Sequence, residues 1–321
     1  MTPAITVDIA GAAMGGAASY ASELYSYLER TGRTDVRVIG GGRRVDPVWL
    51  VRREISTPIT GRRVAVNNVS FTSPGGSRWA VLRNALHFLT DAEAEGLDPA
   101  LRASVRREAA VVRLTARRAD VLVVPCTAMA ERVSRALPAV RSRIAVRAHP
   151  VSADWVRDVP REPAILCPVL FAPYKRMGER LGELLAAVGD GGDGDVRVQV
   201  TASYEELPAA LASDPRIEFL GRVGSRELHH AWTRSRAIYF PTGLESFGYP
   251  LAEARASGFP VIARDTPQNR EIAGTALCGF QPGDPDSLGH AVNLALTRDV
   301  RPDPAPFDPD AYFGWLLGSP R

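Results

Sequence analysis

Short β-branched runs alternate with longer helical segments along this chain, and that alternation admits few folds. A parallel strand cannot rejoin its neighbour through a tight turn. It needs a crossover of a dozen or more residues, which a helix supplies. A chain that repeats strand, helix, strand therefore builds open parallel sheets covered by helices. ITVDIA (5–10) has the apolar character of a buried first strand. It runs into GAAMGGAAS and then into YASELYSYLER, where Tyr20, Leu24 and Leu28 share one helical face. DVRVIGG, VLVVP (121–125) and RIAVRAHP (143–150) supply further strands of the first half.

The second half restarts the pattern. AILCPVLF, VRVQVTAS, RIEFLG and AIYFPT read as strands, with RMGERLGELLAAV and RELHHAWTRS as helices. Between the halves, SADWVRDVPREP (152–163) combines charge, proline and no periodicity, as a linker does. At 321 residues the chain is long for one ordinary core. The expected fold class is α/β, with two doubly wound Rossmann-like domains facing each other across an interdomain cleft. The expected domains are residues 1–155 and 156–300, with a proline-rich, aromatic tail (301–321) docking back on the body.

A composition of 45% hydrophobic and 23% charged residues excludes disordered and fibrous classes. The net charge of +3 is compatible with an anionic ligand without requiring one. Cys126, Cys167 and Cys278 lie far apart with no metal-like spacing, which points to a reducing compartment. The N-terminus carries no basic segment, Asp8 interrupts its apolar run, and no apolar stretch reaches spanning length. These features predict a cytoplasmic protein without a signal peptide or transmembrane segment.

The densest chemistry lies in LESFGYPLAEARASGFPVIARD, from Leu244 to Asp265. Glu245 and Glu253 have seven residues between them, and a tight FGYP turn falls in that gap. Pro250 suits the start of a helix because its missing N–H costs nothing there. Gly258 supplies the positive φ that ends the helix after about two turns. The N-terminal end is then expected to present amides from Phe247, Gly248, Tyr249 and Leu251 together with the positive end of the dipole, an arrangement that binds phosphate oxygens. Gly248 is expected where backbone approaches a ligand closely. Each glutamate, taken alone, is either a ligand-binding carboxylate or a charge that complements the helix dipole.

Those residues resemble a known signature. YFPTGLESFGYPLAEARASGFPVIARD is similar to the signature of the family 4 retaining glycosyltransferases, which have the GT-B fold, and IEFLGRVGSRELHHAW resembles the segment preceding it. The strong resemblance covers about residues 215–275, and a weaker one covers the rest in matching order. It implies glycosyl transfer from a nucleotide-diphosphate sugar with retention at the anomeric carbon. With no obvious carboxylate nucleophile in the sequence, the expected course is a front-face mechanism in which the leaving diphosphate takes the acceptor proton. The acceptor is expected to be small or lipid-linked, within natural-product or glycoconjugate biosynthesis. The nucleotide sugar is a co-substrate, so no cofactor and no catalytic metal are expected. Two alternatives use the same site: a pseudo-glycosyltransferase joining a cyclitol through nitrogen, and a catalytically silent nucleotide-sugar binding module.

Carried over by position, Glu245 and the Phe247–Tyr249 backbone contact the donor sugar and diphosphate, and Glu253 binds ribose. Val223 in LGRVG lines the base pocket. Ser203 lies beneath the nucleotide or is simply a turn residue. Lys175 in FAPYKRMGERL matches the lysine that neutralises the leaving diphosphate, which needs a fixed cation as negative charge develops. The family's arginine five residues earlier is replaced here by Leu170, and the expectation is either that Arg176 or Arg222 compensates or that the donor is bound with fewer charges. Gly15 and Gly16 either approach the donor phosphate or form a flexible turn. His87 in RWAVLRNALHFL either serves a sugar hydroxyl or relays a proton, or is a core histidine. Asn84 has a similar claim, whereas His149 reads as structural. His229 and His230 are adjacent on a helix and point apart, so they are not a metal pair.

Residues 101–118 carry six arginines and one glutamate. That helix is either a solvated face or a contact for an anionic lipid surface. It lacks interleaved aromatics, so nucleic acid is not an expected partner.

Overall fold

A computed structural model describes residues 5–152, 159–168, 173–189 and 196–318. The chain forms two compact units. One comprises residues 1–151, 245–247 and 307–321, and the other residues 152–244 and 248–306.

The first unit holds six strands: β1 (Ile5–Asp8), β2 (Val36–Ile39), β3 (Arg62–Ala65), β4 (Ser77–Val81), β5 (Val121–Val124) and β6 (Ile144–Val146). They pair in parallel in the order β2-β1-β3-β4-β5-β6. Its helices are α1 (Gly15–Thr31), α2 (Pro47–Ser56), α3 (Asp91–Glu95), α4 (Pro99–Ala116) and α5 (Thr127–Ala136). The second unit also holds six strands: β7 (Glu162–Cys167), β8 (Arg197–Val200), β9 (Ile217–Phe219), β10 (Ser235–Phe240), β11 (Val261–Arg264) and β12 (Leu277–Phe280). These run parallel in the order β12-β11-β10-β7-β8-β9. Around them lie α6 (Met177–Val188), α7 (Ala209–Ala212), α8 (Ser225–Arg234), α9 (Tyr249–Ser257), α10 (Pro267–Ala273) and α11 (Pro285–Thr297). The last helix, α12 (Pro309–Leu317), belongs to the first unit.

The central strands are apolar and fully buried. Val7, Leu122, Val123 and Val124 have no exposure in the first sheet, and Ile165, Leu166, Ile238 and Ile262 have none in the second. α12 packs on α1 through aromatic rings, Tyr20 edge-on to Phe313 at 5.5 Å and Tyr27 tilted against Phe313 at 5.4 Å. Arg62 Nη1 donates to Leu316 O at 2.6 Å and ties α12 to β3.

The structure adds elements that the sequence pattern did not disclose, β3, β4 and α2 among them. The strand expected over 143–150 is shorter, ending at Val146. The glycine segment expected as a loop is already helical, because Gly15 and Gly16 are the first two residues of α1.

One buried polar network closes the C-terminal end of β1. Asp8 is fully buried and accepts from Ala10 N at 3.0 Å, Arg53 Nη1 at 2.6 Å, Asn67 Nδ2 at 2.8 Å and Trp49 Nε1 at 3.2 Å. Arg53, from α2, is 1% exposed and also donates through Nη2 to Val69 O and Ser70 O, each at 2.8 Å.

Glycine is required where α9 stops. Gly258 has φ 74°, and a Cβ there would lie 2.8 Å from both Pro302 Cγ and the Val300 carbonyl oxygen. Left-handed strain and a clash with fixed backbone add. Gly258→Ala is expected to lower stability by about 2–4 kcal/mol, read from denaturant unfolding. A loss below about 1 kcal/mol would show that the 300–302 segment simply moves aside.

Candidate functional site

In the second unit the chain proceeds from β7 outward to β8 and β9, then crosses back to β10 and outward to β11 and β12. The strand order reverses between β7 and β10. Loops leaving those two carboxyl ends diverge, and open parallel sheets bind ligands outside such a point.

From β10 the loop leads through Thr242 and Gly243 to α9. Gly248 caps α9 with φ 82°, Pro250 lies in the first turn, and Gly258 ends the helix. The first turn carries no acidic side chain, so nothing there offsets the positive end of the dipole. Two sequence expectations change here. The Leu251 amide is not available to a ligand, since it donates to Gly248 O at 2.9 Å. Gly248 is demanded by its positive φ and by packing, because a Cβ there would lie 3.0 Å from both Phe240 Cε1 and Leu251 Cδ1. Glu253 lies one turn into α9 and is half-buried.

Lys175 ends a 3₁₀ turn, Pro173–Lys175, immediately before α6. It is close enough to β7 for its charge to oppose the upward push that burial gives the Cys167 thiol. The position of Leu170 lies outside the described residues. Of the two arginines expected to compensate for it, both are exposed and engaged: Arg176 pairs with Glu179 and Arg222 with Glu206.

A different arginine occupies the strand ends. Arg264 closes β11, and its guanidinium lies against the loop leaving β10, since a Cβ on Gly243 would fall 2.3 Å from Arg264 Nη1. Its Nε is buried without a hydrogen-bond partner, and no hydrogen bond or ion pair to the guanidinium is found among the described residues. Burial, reinforced by the charge of Arg180, makes its protonated form costlier than usual. Arg180 itself is turned toward Glu183 at 2.8 Å. Lys175, Arg264 and the α9 terminus therefore stand at the carboxyl ends of three adjacent strands, β7, β11 and β10.

Two further predicted residues lie elsewhere in this unit. Ser203 caps a 3₁₀ turn, with its amide donating to Glu206 Oε2 at 2.9 Å and its hydroxyl at 3.2 Å. Val223 lines a cavity of about 570 Å³ with Leu220, Glu218, Gln199 and His230.

Glu245, Ser246 and Phe247 cluster with the first unit, so the two glutamates of the motif fall in different units. Ser246 Oγ donates to Arg83 O at 2.6 Å, and the Cys126 thiol donates to Ser246 O at 3.3 Å. Phe247 is 1% exposed and packs against His149 at 5.1 Å. His149 is also fully buried, with Tyr20 at 5.4 Å, and desolvation holds its pKa well down, which keeps it neutral. Its place is an aromatic core.

Gly15 has φ 57°, and the α1 terminus has neither a capping side chain nor an acidic first turn. His87 is only 5% exposed. Asn84 caps its 3₁₀ turn, and His87 Nε2 stands 3.4 Å from Asn84 Nδ2 and 3.6 Å from Glu108 of α4. Desolvation lowers its pKa, outweighing the opposing pull of Glu108, so the imidazole is neutral near pH 7.

These features define an α/β protein with two parallel sheets, and its structural neighbours share the GT-B glycosyltransferase fold. WaaG, a glycosyltransferase involved in lipopolysaccharide biosynthesis, superimposes with a TM-score of 0.66 at 14% identity, covering 98% of this chain and 100% of that one. An α,α-trehalose 6-phosphate synthase from Burkholderia multivorans gives 0.64 at 12% identity over 99% and 95%. In sequence, residues 175–298 match the family described as "Glycosyl transferases group 1". O-antigen chain mannosyltransferase B of Escherichia coli is 29% identical over 83 residues, 26% of this chain and 22% of that protein. The O-antigen chain mannosyltransferase RfbU of Salmonella typhimurium is 29% identical over 96 residues, 30% and 27% respectively. The match thus spans about a quarter of those relatives.

Proposed function

We propose that this chain is a family 4 retaining glycosyltransferase that moves a sugar from a nucleotide diphosphate to a small or lipid-linked acceptor. The observation that carries the reading is the β7/β10 reversal itself, with Lys175, Arg264 and an α9 first turn that carries no acid following the carboxyl ends of the neighbouring strands β7, β11 and β10. Positive groups at one sheet edge suit a leaving group whose charge grows as its bond to the anomeric carbon breaks. In this reading Lys175 and Arg264 hold the diphosphate, Glu253 holds the ribose hydroxyls, and Val223 borders the base. Glu245 and the Gly248–Tyr249 backbone hold the donor sugar, and the α1 terminus at Gly15 and Gly16 faces the phosphates. Ser203 supports the nucleotide from below. His87, neutral as a buried imidazole, offers a ring nitrogen to a sugar hydroxyl.

The front-face course follows from these assignments, with no carboxylate acting as nucleophile. The acceptor hydroxyl attacks on the side the diphosphate leaves, its proton passes to a departing phosphate oxygen, and configuration is retained. The protein contributes positioning and a preorganised field. A resident metal has no step in this scheme. The names of the relatives make a mannosyl donor the first to try.

The test is nucleotide release and binding across a panel of nucleotide sugars, with Glu253→Ala alongside. One donor is expected to bind and turn over, and Glu253→Ala to weaken it about 10- to 100-fold by leaving a diol unpaired. Unchanged affinity in that variant would remove the ribose assignment. Binding without turnover, with any acceptor class, would instead favour a silent binding module.

A further inference from the structure

We propose that the outward face of α2 docks this protein on an anionic lipid surface. The helix is patterned inside out. Val48, Val51 and Ile55, at i, i+3 and i+7, are 77%, 61% and 81% exposed, while Arg53 on the other side is 1% exposed. Val45 and Ile59 extend the apolar stripe beyond both ends of the helix. A helix on a soluble domain turns its aliphatics inward and its charges outward. Here the inward arginine is committed to Asp8 and to two carbonyls, so the face cannot rotate into the core. The stripe is therefore presented to something outside.

Charge selects the occupant. Arg43, Arg44 and Arg52 are exposed around the stripe. The acids on the same segment are already occupied, Asp46 in accepting the Trp49 amide as the helix cap and Glu54 in holding Thr72 and Ser73. The exposed stripe carries no aromatic residue, unlike the core of a protein interface. Isolated branched aliphatics on a convex helix, ringed by arginines, suit insertion at the level of anionic headgroups. In the 101–118 segment, whose arginines suggested such a contact from sequence, Arg102 bonds Glu95 O and Arg113 bonds His87 O, while Arg106, Arg107, Arg117 and Arg118 stay exposed beside Val111 and Leu114. Among the described residues no helix is long and apolar enough to span a membrane, so the contact is a surface one. This inference stands apart from the transfer reaction, and its readout needs no donor.

The experiment is co-sedimentation of the full chain with phosphatidylcholine vesicles, with and without phosphatidylglycerol. Binding is expected only to the anionic vesicles and is expected to weaken as salt screens the arginines. Val48→Ser, Val51→Ser and Ile55→Ser together should weaken it about tenfold or more. Arg44→Glu with Arg52→Glu should remove the preference for anionic lipid. Circular dichroism establishes that each variant is folded, and Ile55→Ser alone serves if the triple variant is not. Binding to neither vesicle, or unchanged binding by the serine variants, would overturn the proposal. So would a dimer in sedimentation that those substitutions dissociate, because the face would then belong to a second copy.

Discussion

Replacing Asp8 by alanine is expected to cost the first unit about 3–5 kcal/mol, as breaking a fully buried ion pair from one side does. Asp8 and Arg53 are 0% and 1% exposed, and the carboxylate also satisfies Ala10 N, Asn67 and the Trp49 indole. Without it, the guanidinium keeps its carbonyl partners at Val69 and Ser70 but loses its counter-charge while remaining buried. Arg53→Met should cost a similar amount from the other side. The two variants together should lose clearly less than the sum, because each removes the same interaction. Chemical denaturation of the two single variants and the double variant measures this. Additive losses would show that the pair is not coupled, and a loss below about 1 kcal/mol in Asp8→Ala would show that the network is solvated. The network also fixes α2, so either single variant should disturb the lipid-facing stripe along with stability.

How much of this was legible in the sequence depended on whether the signal was local. FGYP, the nine-residue helix and the Gly258 stop were readable, because a proline at the first turn and a glycine at the end act within a few residues. The buried strands β1 and β5 declared themselves by unbroken apolar runs. β3 and β4 did not, since RRVA and SRWAV carry arginines whose burial depends on distant partners. Arg63, for instance, is 1% exposed because it bonds Ser73. α2 was hidden by its inverted pattern, in which the charged residue is the inward one. Arg264 was hidden for a different reason. In sequence it is a strand-end charge 21 residues from Gly243, and only the parallel pairing of β10 with β11 brings the two together. The two arginines expected to compensate for Leu170 pair instead with glutamates, Arg176 with Glu179 and Arg222 with Glu206.

The placement of Arg264 makes a second large effect predictable. Lys175→Ala is expected to lower kcat/KM for the preferred nucleotide sugar about 100- to 1,000-fold, the range for losing a preorganised group aimed at developing charge. Arg264→Ala should lose about tenfold or more in affinity for the nucleotide diphosphate product, since a half-buried guanidinium with no ion-pair partner among the described residues is set up for an anion. Arg264→Lys should recover little, because a point charge cannot reproduce the fork that lies along the Gly243 backbone. Gly243 supplies the control. It does not have a positive φ, so an alanine is conformationally acceptable there, yet its methyl would fall 2.3 Å from Arg264 Nη1. Gly243→Ala should therefore displace the guanidinium and reproduce much of the Arg264→Ala loss, while adding nothing when Arg264 is already alanine. That non-additivity is the decisive measurement, made by titration calorimetry with the nucleotide diphosphate. If Gly243→Ala weakens binding equally in both backgrounds, the loop itself contacts the ligand and Arg264 does not. If neither variant changes affinity, the diphosphate is held by Lys175 and the α9 terminus without it.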